Sequence, residues 1–189
     1  MMDDSTKDKQ EALDRRYIRM ASIWAENSYC QRRQVGALIV KDKMIISDGY
    51  NGTPSGFENV CEDENNVTKP YVLHAEANAI TKIARSNNSS NGATMYVTAS
   101  PCIECSKLII QAGIKRVVYS EKYRLEDGIE LLKREPWQER AVYEEYGKRR
   151  GTDSLTYLKD DRSMEMVNLK TGETRVIRSE SDTGSEETR

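Results

Sequence analysis

Residues 93–121 read ATMYVTASPCIECSKLIIQAGIKRVVYSE. Residues 93–99 are rich in β-branched and aromatic side chains and predict a strand. A helix is expected over 103–113. It opens just after Pro101 and closes at Gly113, residue types that suit the start and stop of a helix. Residues 114–121 predict a second strand. Strand, helix, strand in under thirty residues is the signature of an α/β layered domain.

The surrounding segments extend the pattern. Leu13, Tyr17, Met20, Ala21 and Trp24 recur at helical spacing and predict a helix over 8–28. Residues 35–52, VGALIVKDKMIISDGYNG, predict a hairpin turning at Lys41-Asp42-Lys43. Residues 51–72 are rich in Gly, Pro, Asn and acidic side chains and predict a long loop of functional size. Residues 74–86 predict a helix with an apolar stripe of Ala75, Ala79, Ile80 and Ile83, and residues 126–135 another. The expected order is helix, hairpin, helix, strand, helix, strand, helix, around a mixed sheet.

The chain has 189 residues, of which 37% are hydrophobic and 32% charged, with a net charge of −2. That length suits one domain, expected over 8–146. Residues 147–189 read as a charged extension. A small hairpin is expected around Lys170-Thr171-Gly172, and disorder over the last dozen residues. The nearly balanced charge argues against a protein built to hold long nucleic acid. No apolar run approaches the roughly 20 residues that cross a bilayer, and the polar N-terminus carries no signal peptide. The expected setting is therefore cytoplasmic, where cysteines more often serve metals or catalysis than disulfides.

Residues 74–80 read HAEANAI, and His74 is the only histidine in the chain. Downstream come Pro101, Cys102 and Cys105. A Cys-x-x-Cys pair on the first turn of a helix aims two sulfurs at one point. Alone it would also fit a redox pair or half of a structural zinc site. Two thiolates and one imidazole make a three-ligand zinc site with an open fourth position, the form a catalytic zinc takes. Glu76 stands two residues beyond His74, able to reach a water at the metal without ligating it. His-x-Glu followed by Pro-Cys-x-x-Cys is the signature of zinc nucleobase deaminases.

With RRQVGALIV (32–40), GYNGTPSG (49–56), HAEANAI, the quoted 93–119 run and EKY (121–123), the chain resembles the deoxycytidylate (dCMP) deaminases of the cytidine deaminase superfamily. The resemblance covers about Tyr17 to Lys133. It implies a three-layer α/β/α cytidine-deaminase-like fold with a mixed five-stranded sheet. It implies hydrolytic deamination of dCMP to dUMP, supplying thymidylate synthesis. His74, Cys102 and Cys105 are the implied zinc ligands, one zinc per subunit. Glu76 is the implied proton shuttle, protonating N3 as water adds at C4. Asn51 and Ala75 are implied substrate contacts, although Asn51 also suits an Asn-Gly turn. Gly49, Tyr50, Asn51 and Gly52 are implied in an effector site for dCTP (activator) or dTTP (inhibitor), with Mg2+. A homo-oligomer, hexameric by resemblance, is expected, with no nucleic acid or membrane partner.

Arg32 and Arg33 are candidate phosphate contacts because the guanidinium fork matches phosphate oxygens; two solvated arginines are the plainer reading. Tyr123 is a candidate ring near the base, or a core residue. Some relatives carry a second, structural zinc. Here Cys30 and Cys61 stand near the positions for it, but no second histidine exists, and Glu62 or Asp63 would be unusual substitutes. Two buried free thiols are the expected alternative. Competing functions are a deaminase for free cytidine or a tRNA base, and a non-catalytic competence-type zinc protein, which would have no need of Glu76.

Overall fold

Alternation along three strands sorts the helices onto two faces. The computed structural model describes residues 4–134, with side chains from residue 9 onward, and the backbone of five strands between 142 and 177. Strands β1 (Gly36–Lys41), β2 (Met44–Tyr50), β3 (Thr94–Ala99), β4 (Arg116–Glu121) and β5 (Val142–Tyr143) form one sheet in the order β2-β1-β3-β4-β5. β1 pairs antiparallel with β2 and β3, whereas β3–β4 and β4–β5 are parallel, so the sheet is mixed. Ala37, Ile39, Met95, Val97, Val117 and Tyr119 face one side. Leu38, Val40, Tyr96 and Val118 face the other. A period of two sends neighbouring residues to opposite faces, and both faces here are apolar because both are covered.

The first face is covered by α2 (Ala75–Ile83), α3 (Ile103–Gln111) and α4 (Asp127–Leu132), through Ala75, Ala79, Ile83, Ile109, Ile129 and Leu132. The second is covered by α1 (Asp4–Ala25) through Ile18 and Ala21. This gives the three layers expected. The α1 stripe, however, differs from its sequence reading. Met20 and Trp24 are exposed, at 44% and 38%. Asp14, Ile18, Ala21 and Ala25 form the buried line instead. A carboxylate sits in that line because Arg116 grips it with two hydrogen bonds, at 2.8 and 2.6 Å, and Tyr96 Oη donates to it at 2.7 Å. Hydropathy cannot anticipate a charge whose partner lies 102 residues away.

Boundaries shift modestly. α1 ends at Ala25, and the N–H groups of Glu26, Asn27 and Ser28 turn back onto the carbonyls of Ile23, Trp24 and Ala25. The hairpin turn is the two residues Asp42 and Lys43, with φ of 50° and 65°, and Tyr17 Oη holds it by donating to the Lys43 carbonyl at 2.8 Å. Two left-handed residues match the twist of a two-residue hairpin. Gly113 follows α3 with φ 72°. The loop from Asn51 to Leu73 is closed at its base by paired hydrogen bonds between Gly52 and Leu73.

Beyond β5, β6 (Tyr146–Arg149), β7 (Thr152–Leu158), β8 (Met164–Asn168) and β9 (Thr174–Ile177) form a four-stranded antiparallel sheet, where the sequence suggested a single hairpin. β8 and β9 bracket Lys170-Thr171-Gly172, but that turn and residues 178–189 lie outside the described residues. Among the described residues no helix is long and apolar enough to cross a membrane.

Candidate active site

His74 and Cys102 occupy equivalent places in two helices. Each is an N-cap residue with extended backbone, at φ −73°, ψ 155° for His74 and φ −74°, ψ 170° for Cys102. Neither side chain makes a capping hydrogen bond. A serine or aspartate in that place would direct its oxygen to the helix's free N–H groups. Imidazole and thiol instead project from the paired N-termini of α2 and α3 toward one another. Cys105, one turn along α3 and 2% exposed, completes the group.

His74 Nδ1 lies 3.5 Å from Cys102 Sγ and 3.4 Å from Cys105 Sγ. All three donor atoms fall within 4.8 Å of one another. Zinc bond lengths of about 2.0–2.1 Å to nitrogen and about 2.3 Å to sulfur, at a tetrahedral angle, would hold nitrogen and sulfur about 3.6 Å apart. The spacing and the donor types therefore fit a zinc ion, with one coordination position left over.

The electrostatics agree. Cys105 donates to Cys102, which lowers the Cys102 thiol to about 3, against the opposing cost of burial and with further help from His74. The same hydrogen bond, with burial, pushes Cys105 far up. The hydrogen bond to Cys102 raises His74, with burial opposing. A dication among these atoms would favour both thiolates and the neutral imidazole, as metal binding generally displaces protons from its ligands. Helix N-termini add partial positive charge on the same side.

Glu76 is the second residue of α2 and is 4% exposed. Burial raises its carboxyl above the ordinary range, while its own backbone N–H and the nearby His74 oppose the rise. A carboxylate raised in this way is suited to exchanging protons nearer neutral pH.

These groups open onto a cavity of about 350 Å³. His74, Ala75, Glu76, Ala99, Ser100 and Cys102 line it. Val35 and Val72 supply apolar wall, and Arg32, Arg33, Tyr123 and Arg124 stand around the cavity. Arg33 Cζ is 5.5 Å from the Tyr123 ring centroid and Arg124 Cζ is 5.7 Å from it. Arg33 also pairs with Glu121 at 2.7 Å, and Arg32 reaches Thr68 at 3.3 Å. Two guanidiniums beside one tyrosine make a cationic rim over an apolar slot.

The singled-out residues thus fall in three places. His74, Ala75, Glu76, Cys102, Cys105, Arg32, Arg33, Asn51 and Tyr123 gather at or against this cavity. Asn51 is strongly committed there: its Oδ1 accepts the Val35 N–H at 2.7 Å and its Nδ2 donates to the Arg33 carbonyl at 2.8 Å. It braces the arginine segment, with one lone pair and one N–H still to offer. Tyr50 and Gly52 line a neighbouring cavity of about 400 Å³. Gly49 sits under α2, where a Cβ would meet the backbone of Ala75 and Ala79.

Sequence reasoning missed Arg124 and Gly128, and it weighed Glu62 only as an unusual zinc ligand. Arg124 was signalled only by its place next to Tyr123. Glu62, buried, accepts the N–H groups of Gln31 and Arg32 at 3.2 Å each, so it anchors a loop. Gly128 left only the hint of a glycine inside a helical pattern. A Cβ there would collide with the Pro101 carbonyl, so α4 seats directly on the segment that carries Cys102. One expectation is overturned: Cys30 and Cys61 are buried but not free, since their sulfurs are bonded to each other. The fold brings their Cα atoms to 5.1 Å, within disulfide reach.

Residues 11–121 match the family described as the cytidine and deoxycytidylate deaminase zinc-binding region. A deoxycytidylate deaminase of Saccharomyces cerevisiae is 35% identical over 147 residues, covering 70% of this chain and 47% of its own length. ComE operon protein 2 of Bacillus subtilis is 42% identical over 112 residues, covering 57% of this chain and 59% of its own length. The chain therefore spans about half the length of these curated relatives. The crystal structure of dCMP deaminase from cyanophage S-TIM5 in complex with dCMP and dUMP superposes with a TM-score of 0.61 at 44% identity, covering 70% of this chain and 93% of that one.

Proposed function

The chain belongs to the cytidine and deoxycytidylate deaminase family, and from that premise we propose that it hydrolyses dCMP to dUMP and ammonia. The cationic rim around the zinc-type cluster carries this reading. A free nucleoside would need the cluster and the apolar slot, but not Arg32, Arg33 and Arg124 beside them. The cyanophage structure, solved with dCMP and dUMP, supports the same substrate.

His74, Cys102 and Cys105 would hold the zinc. When bound there, zinc supplies a water that loses a proton far more readily than bulk water. Glu76 takes that proton and gives it to N3; it then takes the second proton of the same water, as the hydroxyl at C4 becomes the carbonyl, and gives it to the amine, which leaves as ammonia. Its burial keeps the carboxyl within reach of both states. Val35 and Val72 press on the base and exclude water from it. Asn51 fixes the backbone that carries Arg33, and it offers its remaining lone pair and N–H to the sugar. Arg32, Arg33 and Arg124 meet the phosphate, with Tyr123 keeping two guanidiniums in place. Glu121 must release Arg33, or share it, when the phosphate arrives.

The reading extends to regulation, with dCTP activating and dTTP inhibiting, the former with Mg2+. The neighbouring cavity offers Tyr50, Gly52, Asn78 and Lys82, with Lys82 Nζ 5.8 Å from the Tyr50 ring centroid. Asn78 donates to the Tyr50 carbonyl at 2.9 Å, which links an effector there to α2 and hence to His74 and Glu76. Its setting is the cytoplasm, its product serves thymidylate synthesis, its deaminase domain spans 8–146, and its assembly is a hexamer.

The test is ultraviolet-monitored deamination of dCMP beside deoxycytidine, each with and without dCTP and Mg2+. Turnover of dCMP alone, with a steeper or faster saturation curve in dCTP, is expected. Turnover of neither by a zinc-loaded protein would refute the reading and favour a nucleic-acid base, a modified nucleotide or a non-catalytic role.

A further inference from the structure

Cys30 and Cys61 take no part in the chemistry above, yet their placement is specific. Their sulfurs are bonded across 31 residues of sequence. Cys30 stands in the wall of the catalytic cavity, just ahead of Arg32 and Arg33. Cys61 stands in the wall of the neighbouring cavity, beside Tyr50, Asn78 and Lys82. The bond lies in the partition between the two and ties the arginine segment to the long loop.

We propose that Cys30 and Cys61 form a thiol–disulfide modification site that sets the affinity of the catalytic cavity for its nucleotide. Closing the bond fixes the segment carrying Arg32 and Arg33; opening it lets that segment move and weakens phosphate binding. The site's chemistry stands by itself, and its effect on substrate rests on the function proposed above. The reagent class is a low-molecular-weight disulfide. One cysteine thiolate attacks it and expels a thiol. The second cysteine then displaces the remaining half as another thiol. Two protein thiols are oxidised by two electrons, one small disulfide is reduced to two thiols, and the two protons leave on those thiols. Excess small thiol runs the exchange backwards. Both cysteines are buried, at 4% and 1% exposed, and each borders a cavity, so those two cavities are the approaches for such a reagent. In a reducing compartment a disulfide is more often a sensor than a permanent staple.

Opening the bond loosens the loop without dismantling it. Glu62, next to Cys61, still holds the N–H groups of Gln31 and Arg32, and Asn51 still holds Arg33 and Val35. His74, Glu76, Cys102 and Cys105 lie at the starts of α2 and α3 and are not carried by the loop. The effect therefore falls on KM and not on kcat.

The test uses the zinc-loaded full chain, equilibrated with oxidised or with reduced glutathione. Thiols are counted after denaturation with a chelator, and dCMP kinetics and protease cleavage within 53–72 are followed. Two free thiols of the four cysteines are expected after oxidation, and all four after reduction. Reduction should raise KM about three- to tenfold, the range for ordering a long side chain on binding, and speed loop cleavage, with kcat within about twofold. The Cys30→Ser/Cys61→Ser double variant should keep the high KM in both buffers. Four free thiols after oxidation, a second zinc per chain, or equal KM in the two states with changed thiol counts would each overturn the proposal. If dCMP is not turned over, thiol counts and cleavage rates still decide whether the bond controls the loop, and equal cleavage in both states would overturn that.

Discussion

Replacing Gly128 with alanine sets two effects of opposite sign against each other. Helix propensity favours alanine by up to about 1 kcal/mol. Space opposes it. The new Cβ would meet the Pro101 carbonyl oxygen, with the Cys102 carbonyl carbon at 2.7 Å. Ordinary contact begins near 3.4 Å, so α4 and the Pro101–Cys102 segment must separate by roughly 0.7 Å or more. Overpacking of this kind costs about 1–3 kcal/mol, so the clash outweighs the propensity gain. A zinc site tolerates only about 0.2 Å in its bond lengths. Even a third of the displacement passed to Cys102 would disturb it. Gly128→Ala is therefore expected to lower Tm by several degrees and zinc affinity by about tenfold or more. Differential scanning calorimetry and competition with a zinc-binding dye measure the two separately. A Tm at or above that of the parent, with unchanged zinc affinity, would refute the seating of α4 on the ligand segment.

Further outcomes follow from the same geometry. Glu76→Gln should retain zinc and fold while losing about 10²–10⁴ in kcat, the usual weight of a general acid–base group; a variant retaining more than a tenth of the activity would remove Glu76 from the proton path. Because the folded pKa of Glu76 lies above its unfolded value, its stabilising share is full below the unfolded value and is lost as pH rises through the folded one. With zinc chelated, Glu76→Gln should thus melt higher than the parent at pH 7, and an equal or lower Tm would contradict the burial argument. Arg33→Ala and Arg124→Ala should each raise KM for dCMP about tenfold or more, with kcat nearly kept; a loss in kcat alone would place them elsewhere in the mechanism. Asp14→Ala removes the acceptor of both Arg116 hydrogen bonds and of Tyr96 Oη. It should destabilise by about 3–5 kcal/mol in urea unfolding, and a change under 1 kcal/mol would show the buried network to be unimportant.

How much was legible depends on where the information lies. The β-branched and aromatic runs of 94–99 and 116–121 are local, as are Pro101 and Gly113, and together they placed two strands and the helix between them correctly. The deaminase signature is also local: His74 and Glu76 are two residues apart, and Cys102 and Cys105 three apart, so each pair is set by one helix start. With only one histidine in the chain, no rival imidazole ligand existed. The α1 stripe misled because Asp14 takes a core position by virtue of Tyr96 and Arg116, which lie on two neighbouring strands of the sheet far along the chain. The extension after residue 146 read as a hairpin because its strands are short, charged and poorly alternating.

By itself, then, the sequence determined the layered class and the zinc-type donor set of His74, Cys102 and Cys105, and it put Glu76 beside them, because those depend on the periodicity of single elements and on residue chemistry. The tertiary structure decided what lies between elements. It bonded Cys30 to Cys61 and turned the Asn51 amide into a brace for Arg33. It put Arg124 beside Arg33 on one ring, and made Gly128 the seat of the Cys102 segment. Each of these is a contact across a large gap in the chain, fixed by how the layers pack and by nothing in the residues' own neighbourhoods.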